Sequence, residues 1–155
     1  MAQYRFVTKW LLKGTTPENA WEVLKDSNYG DWWHGVTVHV LEPGDEHGLG
    51  ELRESLFKTK LPYTLSFKSR VSTLERPSVI EMQAYGELEG TGRYDIRQTN
   101  DETEILYTWD VRTTKSWMNL MAPLMRPMFE WNHGQVMHEG AIGLAKRLNA
   151  VLIHG

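Results

Sequence analysis

The sequence predicts an α+β fold: a curved antiparallel sheet of about seven strands wrapped around one long C-terminal helix, with two short helices between strands 1 and 2. Three observations lead there. From Trp117 to His154, apolar residues recur three and four apart. They are Leu120, Leu124, Met128, Trp131 or Asn132, Met137, Ala141, Leu144, Leu148 and Val151, the period of a helix with one buried face. Between Val36 and Thr114 the pattern changes to alternation in runs joined by short turns, which implies an antiparallel meander. No internal repeat, linker or low-complexity tract divides the chain, so residues 1–155 are expected to form a single domain.

Each element has its own local reason. Tyr4 to Leu12 is a strand with Phe6, Thr8 and Trp10 on one face and Arg5, Val7 and Lys9 on the other. Thr16 is placed to cap a short helix that starts at Pro17 and ends near Asp26, burying Ala20, Trp21, Val23 and Leu24. Ser27 to Gly35, rich in Gly, Asp and Trp, reads as a second short helix or tight loop. Strands follow at Val36 to Leu41, Gly50 to Lys58, Leu65 to Thr73, Val79 to Tyr85, Glu87 to Arg97 and Glu104 to Thr114. In the third of these Leu65, Phe67, Ser69, Val71 and Thr73 share the buried face. In the last, Ile105, Tyr107, Trp109, Val111 and Thr113 do. Pro123 and Pro127 interrupt the front of the terminal segment, and Pro127 suits the first turn of its main helix. From there to Val151 the helix would run roughly 37 Å, the width of the whole domain.

Composition removes several functions. The net charge is −3, with interspersed signs and no basic stripe, so no nucleic-acid partner is expected. There is no Cys, which excludes disulfides, thiol catalysis and thiolate metal sites. A basic-then-apolar leader and an 18-residue apolar run are both missing, so a cytoplasmic location without membrane insertion is the expectation. Neither a His-Glu-x-x-His pattern nor a repeated Asp-x-Asp loop is present, and the glycine pairs at Gly48/Gly50 and Gly90/Gly92 fall between or within strands. No metal and no cofactor is therefore expected.

Several stretches carry a family resemblance. They are Pro17-Glu18, Ala20-Trp21 and Val23-Leu24, then Trp32-Trp33-His34-Gly35-Val36, Gly90-Thr91-Gly92-Arg93, Thr108-Trp109-Asp110-Val111-Arg112, and Trp131-Asn132-His133 followed by Val136-Met137 and Gly140. Across nearly its whole length the chain resembles the START-like (SRPBCC) superfamily, within it the polyketide cyclase/dehydrase and lipid-transport group. The resemblance implies a helix-grip fold with a cavity between the sheet and the C-terminal helix. It implies no shared catalytic set, because members include enzymes, carriers and proteins without known activity.

That expectation gives the inward residues a second use to consider. Trp33, Leu65, Phe67, Met82, Tyr107, Trp109, Met121, Met125 and Phe129 are candidate cavity walls, and each is equally an ordinary core residue. Asn132 and His133 are polar and mid-helix, where Asn is a poor former, so they serve either a ligand or a hydrogen bond to the sheet. Arg112 offers an anchor for an anionic group if it points inward, and a surface ion pair if it does not. The first functional expectation is binding of a hydrophobic small molecule: a lipid, polyketide or aromatic metabolite. The alternative is a cyclase, aromatase or dehydratase using His34 as base with Tyr63 or Tyr107 as donor. The third is a filled, non-catalytic interaction protein, and either a monomer or a homodimer is expected.

Overall fold

The computed structural model describes residues 3–61 and 64–155. Its elements in order are β1 (Gln3–Lys13), α1 (Pro17–Lys25), a single 3-10 turn (Tyr29–Asp31), β2 (Val36–Glu42), β3 (Leu52–Lys58), β4 (Thr64–Glu75), β5 (Val79–Gly86), β6 (Leu88–Thr99), β7 (Glu102–Thr113), α2 (Ser116–Arg147) and β8 (Val151–His154). The strands form one sheet in the order β2-β3-β4-β5-β6-β7-β1-β8, with every registered pair antiparallel. The α1 and 3-10 crossover carries the chain from β1 to the far edge, from which the meander returns. Thr16 caps α1, its hydroxyl accepting from the Asn19 N–H at 3.2 Å, with Pro17 in the first turn. Among the described residues no helix is long and apolar enough to cross a membrane.

The terminal segment departs from the sequence-based reading in three ways. α2 begins at Ser116, not Pro127, and both prolines lie inside it. It stops at Arg147, short of Val151, because Asn149 takes a left-handed conformation (φ 53°). The Ala150 N–H then bonds back to Ala145 O at 2.8 Å, and the Asn149 N–H to Lys146 O, closing a Schellman turn. Val151–His154 consequently leaves the helix and pairs with β1 as an eighth strand. The third departure concerns the buried face. Leu120, Leu124, Met128 and Trp131 are exposed, whereas Met118, Ala122 and Phe129 are buried. The front half of α2 is apolar along two stripes, and periodicity alone does not say which one meets the sheet.

Two apolar clusters fill the space between sheet and helix. One gathers Trp10, Leu12, Trp21, Leu24, Trp33, Ile105, Ala141 and Leu144, around the back half of α2. The other gathers Tyr4, Phe67, Leu88, Trp109, Met118 and Phe129, beneath its front half. Phe57 and Tyr107 pack against both. The back cluster is drawn close by small residues on the helix. Gly140 lies on the Trp33 indole, where a Cβ would come within 2.5 Å of the ring, and a Cβ on Gly143 would overlap the Trp32 carbonyl oxygen. The Trp33 indole N–H donates to Val136 O at 2.9 Å, fixing the corner to the helix.

This close approach sets a stability test. Gly143→Ala forces the helix away from backbone that has nowhere to go, and we expect a loss of at least ~2 kcal/mol by urea denaturation despite the better helix propensity of Ala. An unchanged or raised midpoint would show that the corner does not clamp α2.

Candidate functional site

A cavity of about 130 Å³ lies where the two apolar clusters meet. Alternation along the strands aims its sheet-side walls: Tyr4 and Phe6 from β1, Phe57 from β3, Leu65, Phe67 and Ser69 from β4, Met82 from β5, Tyr94 from β6, and Tyr107 and Trp109 from β7. Gly92 on β6 lies opposite Trp109 and leaves room for its indole, since a Cβ there would come within 2.7 Å of the ring. Tyr29 and Trp33 close one side, and Met118, Phe129, Asn132, His133, Val136 and Met137 of α2 form the roof. No charged side chain is among these lining residues.

Two polar atoms in the roof are buried without a hydrogen-bond partner among the described residues: Asn132 Oδ1 and His133 Nε2. The imidazole of His133 stacks on Phe6, with ring centroids 4.1 Å apart and planes 17° from parallel. Burial alone pushes its pKa down to about 4, so at neutral pH the ring is uncharged, with one nitrogen a donor and the other an acceptor. The Tyr4 hydroxyl is a third unpartnered polar atom, and its ring sits under the Arg126 guanidinium at 4.4 Å.

The opposite side holds a satisfied polar network. The Tyr29 hydroxyl donates to Leu24 O at 2.6 Å, with Tyr94 and the Arg53 guanidinium close enough to act on its pKa. Arg53, 3% exposed, is neutralised by Glu51 at 2.7 Å and also donates to Lys25 O. Tyr107 lies against Tyr94, ring centroids 4.4 Å apart. Burial raises the pKa of all three phenols above the usual tyrosine range, so they are neutral walls and not bases. Among the described residues no group of three or more His, Asp or Glu side chains is placed to hold a metal ion.

No protein-family model matches the chain, and no curated protein matches it. Solved structures do match. The Zhui aromatase/cyclase from Streptomyces sp. R1128 superposes with a TM-score of 0.73 at 17% identity, over 94% of this chain and 95% of that one. A protein from Thermus thermophilus gives 0.75 at 12% identity, over 96% and 97%. A START superfamily protein from Mycobacterium smegmatis gives 0.70 at 14% identity, over 95% and 97%. The chain has the START-like, helix-grip fold. At these identities the likeness is one of architecture.

Within this START-like fold, Trp33, Leu65, Phe67, Met82, Tyr107, Trp109, Phe129, Asn132 and His133 stand around the cavity. Met125 is partly buried in the adjoining cluster without lining it. Three expected residues lie elsewhere. His34 is exposed: the corner that turns Trp32 and Trp33 inward turns its neighbour out. Met121 is on the outer stripe of α2, and Arg112 pairs with Glu89 at 3.4 Å on the exposed face of the sheet, opposite Trp109 and Val111. Tyr63 lies outside the described residues. His34 therefore stands outside the cavity that Tyr107 lines. The sequence-based reading also missed Tyr29, Tyr94 and Met118. Tyr94 could have been found by pairing β6 against β7, where Tyr94 stands opposite Tyr107. Tyr29 sits in an irregular turn without a period to read.

The depressed pKa of His133 makes stability depend on pH. In the unfolded chain its imidazole takes a proton near pH 6.5, in the folded chain only near 4. Between those values the unfolded state binds more protons, so stability falls as pH falls. Relative to His133→Gln, the parent protein should lose up to ~3 kcal/mol between pH 7 and pH 4 in urea unfolding. Parallel curves for the two proteins would mean that the folded ring protonates freely.

Proposed function

We propose that the protein binds a small, neutral, hydrophobic molecule in this cavity, and that Asn132 and His133 hold its one polar group. The observation that carries the reading is the pair of unpartnered polar atoms in a mostly apolar, uncharged chamber. Leaving a buried donor or acceptor unsatisfied costs about 1–3 kcal/mol, and a ligand hydroxyl bonded to both groups would recover that. A hydroxyl suits the pair because its one proton can go to Asn132 Oδ1 while its oxygen accepts from a protonated His133 Nε2 of the neutral ring.

Size and charge narrow the class. A dry cavity of about 150 Å³ holds benzene, so about 130 Å³ suits a single ring or a short branched chain. Whole polyketides and long acyl chains need chambers of roughly 300–1,000 Å³. An anion would enter without a cation to meet it, a desolvation cost of several kcal/mol. The occupant is thus a phenol or a compact alcohol, and not a carboxylate.

The fold shared with an aromatase/cyclase raises the catalytic alternative. The cavity histidine argues for the binding reading. A general base works best with a pKa near the operating pH, and at about 4 His133 is a weak base at neutral pH.

Thermal unfolding with phenol, a methylphenol, toluene and benzoate tests the proposal. Neutral phenols at about 100 times Kd should raise Tm by roughly 5–10 °C, and benzoate should leave it unchanged. Asn132→Leu should weaken phenol binding about tenfold in calorimetry while sparing toluene. If no neutral ring compound shifts Tm, or if benzoate binds best, the reading fails.

A further inference from the structure

The front half of α2 carries an exposed apolar stripe on the side away from Met118, Ala122 and Phe129. Trp117, Leu120, Met121, Leu124, Met128 and Trp131 fall within about 100° of the helix circumference, over about 21 Å of its length. Leu120 is 80% and Leu124 79% exposed, with Trp117, Met121, Met128 and Trp131 between 37% and 50%. Single exposed apolar residues are ordinary, but six in one continuous stripe form a patch of the kind that marks an interaction site. Trp117, Leu120, Leu124, Pro127 and Trp131 are spaced alternately three and four apart, the seam along which two helices pack.

We propose that this stripe is the interface of a homodimer, in which the α2 helices of two copies pack antiparallel about a twofold axis at Leu124. A twofold interface must be complementary to itself under reversal. The stripe meets that condition in its sequence. Trp117 and Trp131 stand seven residues either side of Leu124, Leu120 and Met128 four either side, and Met121 and Pro127 three either side. With the axis at Leu124, Trp117 faces Trp131 of the partner subunit, Leu120 faces Met128 of the partner subunit, and the two Leu124 side chains meet. The six side chains leave on the order of 600 Å² accessible per chain, so pairing buries on the order of 1,200 Å² in total, where specific interfaces begin.

The surroundings favour a second copy over a lipid surface. Helices that lie on membranes carry a rim of free basic residues. Here Lys115 is bound to Glu87 at 2.8 Å, Arg126 sits over the Tyr4 ring and donates to Gln3 O, and Lys60 lies over Trp131 itself. Glu130 adds a negative charge to the same stretch, and the chain carries a net −3.

The chain has no Cys, so a single introduced thiol reports the register directly. Under mild oxidation Leu124→Cys should form a covalent dimer in at least ~10-fold higher yield than Leu120→Cys or Met128→Cys alone, since only a residue on the axis meets its own copy. Mixing Leu120→Cys with Met128→Cys should restore the cross-link. In sedimentation the parent protein should show twice the chain mass at micromolar concentration, and Leu124→Glu, at an exposed position, should be a folded monomer by circular dichroism. Three results would overturn the proposal: a parent chain still monomeric at about 500 μM, equal cross-linking at all three positions, or a monomer that binds phosphatidylcholine/phosphatidylglycerol vesicles.

Discussion

Everything on the concave side of the sheet depends on how close the back half of α2 can come to the tryptophan corner. Trp32 and Trp33 stack at 5.4 Å, Trp33 meets Trp10 edge-on at 5.6 Å, and the helix lays Gly140 and Gly143 directly against that group. Larger residues at those two positions would lift the helix off the sheet. The indole bond to Val136 O then fixes the helix along its axis as well as its height. A clamp of this kind at one end makes α2 a lever. From Val136 forward the facing residues no longer interdigitate fully, and the space left over is the cavity.

The cavity has an energetic character as well as a shape. Folding has buried Asn132 Oδ1, His133 Nε2 and the Tyr4 hydroxyl without partners, each at a cost of about 1–3 kcal/mol. Apolar side chains at Asn132 and His133 would fill the roof and avoid that cost. On the other side of the same chamber Tyr29 is bonded to Leu24 O, and Arg53 to Glu51 and Lys25 O, so the buried polar groups of that wall have partners within the chain. The contrast between a satisfied wall and an unsatisfied roof supports a binding role for the roof. It also places specificity on α2 and shape on the sheet.

Sheet residues were the legible part of the sequence. A period of two leaves only two choices of face, and the apolar side of β1, β4 and β7 decides it, so Phe6, Phe67 and Trp109 could be aimed inward without coordinates. The helix was less legible because its front half has apolar residues on two stripes. Leu120 and Leu124 fit the helical period as well as Met118 and Phe129 do, and only the path of β1 and β7 selects between them. The end of α2 turns on the left-handed Asn149, a signal shorter than any periodicity window. The corner histidine was left open between the pocket mouth and solvent for a different reason. Side-chain direction in an irregular loop follows its individual dihedrals, and Gly35 with φ 83° sets the turn that leaves His34 outside.

The two stripes of α2 give one short segment two masters. Pro123 and Pro127 each remove an i→i−4 bond, so the front half holds its own shape less strongly than the glycine-clamped back half. Its position therefore answers to what presses on it: cavity contents through Phe129, Asn132 and His133, and a partner helix through Leu120, Leu124 and Met128. Asn132 and His133 follow Trp131 directly in sequence, and Trp131 closes the outer stripe. The roof and the outer seam thus share one short stretch of helix that the prolines have weakened. If the two surfaces act as proposed, the coupling between them must be reciprocal, since a ligand that changes the dimerisation constant is bound more tightly or more weakly by the dimer in the same ratio. The sign follows from the clamp. Two copies packed along the front half add rigidity where the prolines removed it, so the ordering of the roof is largely complete before a ligand arrives, and the dimer is the form that binds at lower entropic cost.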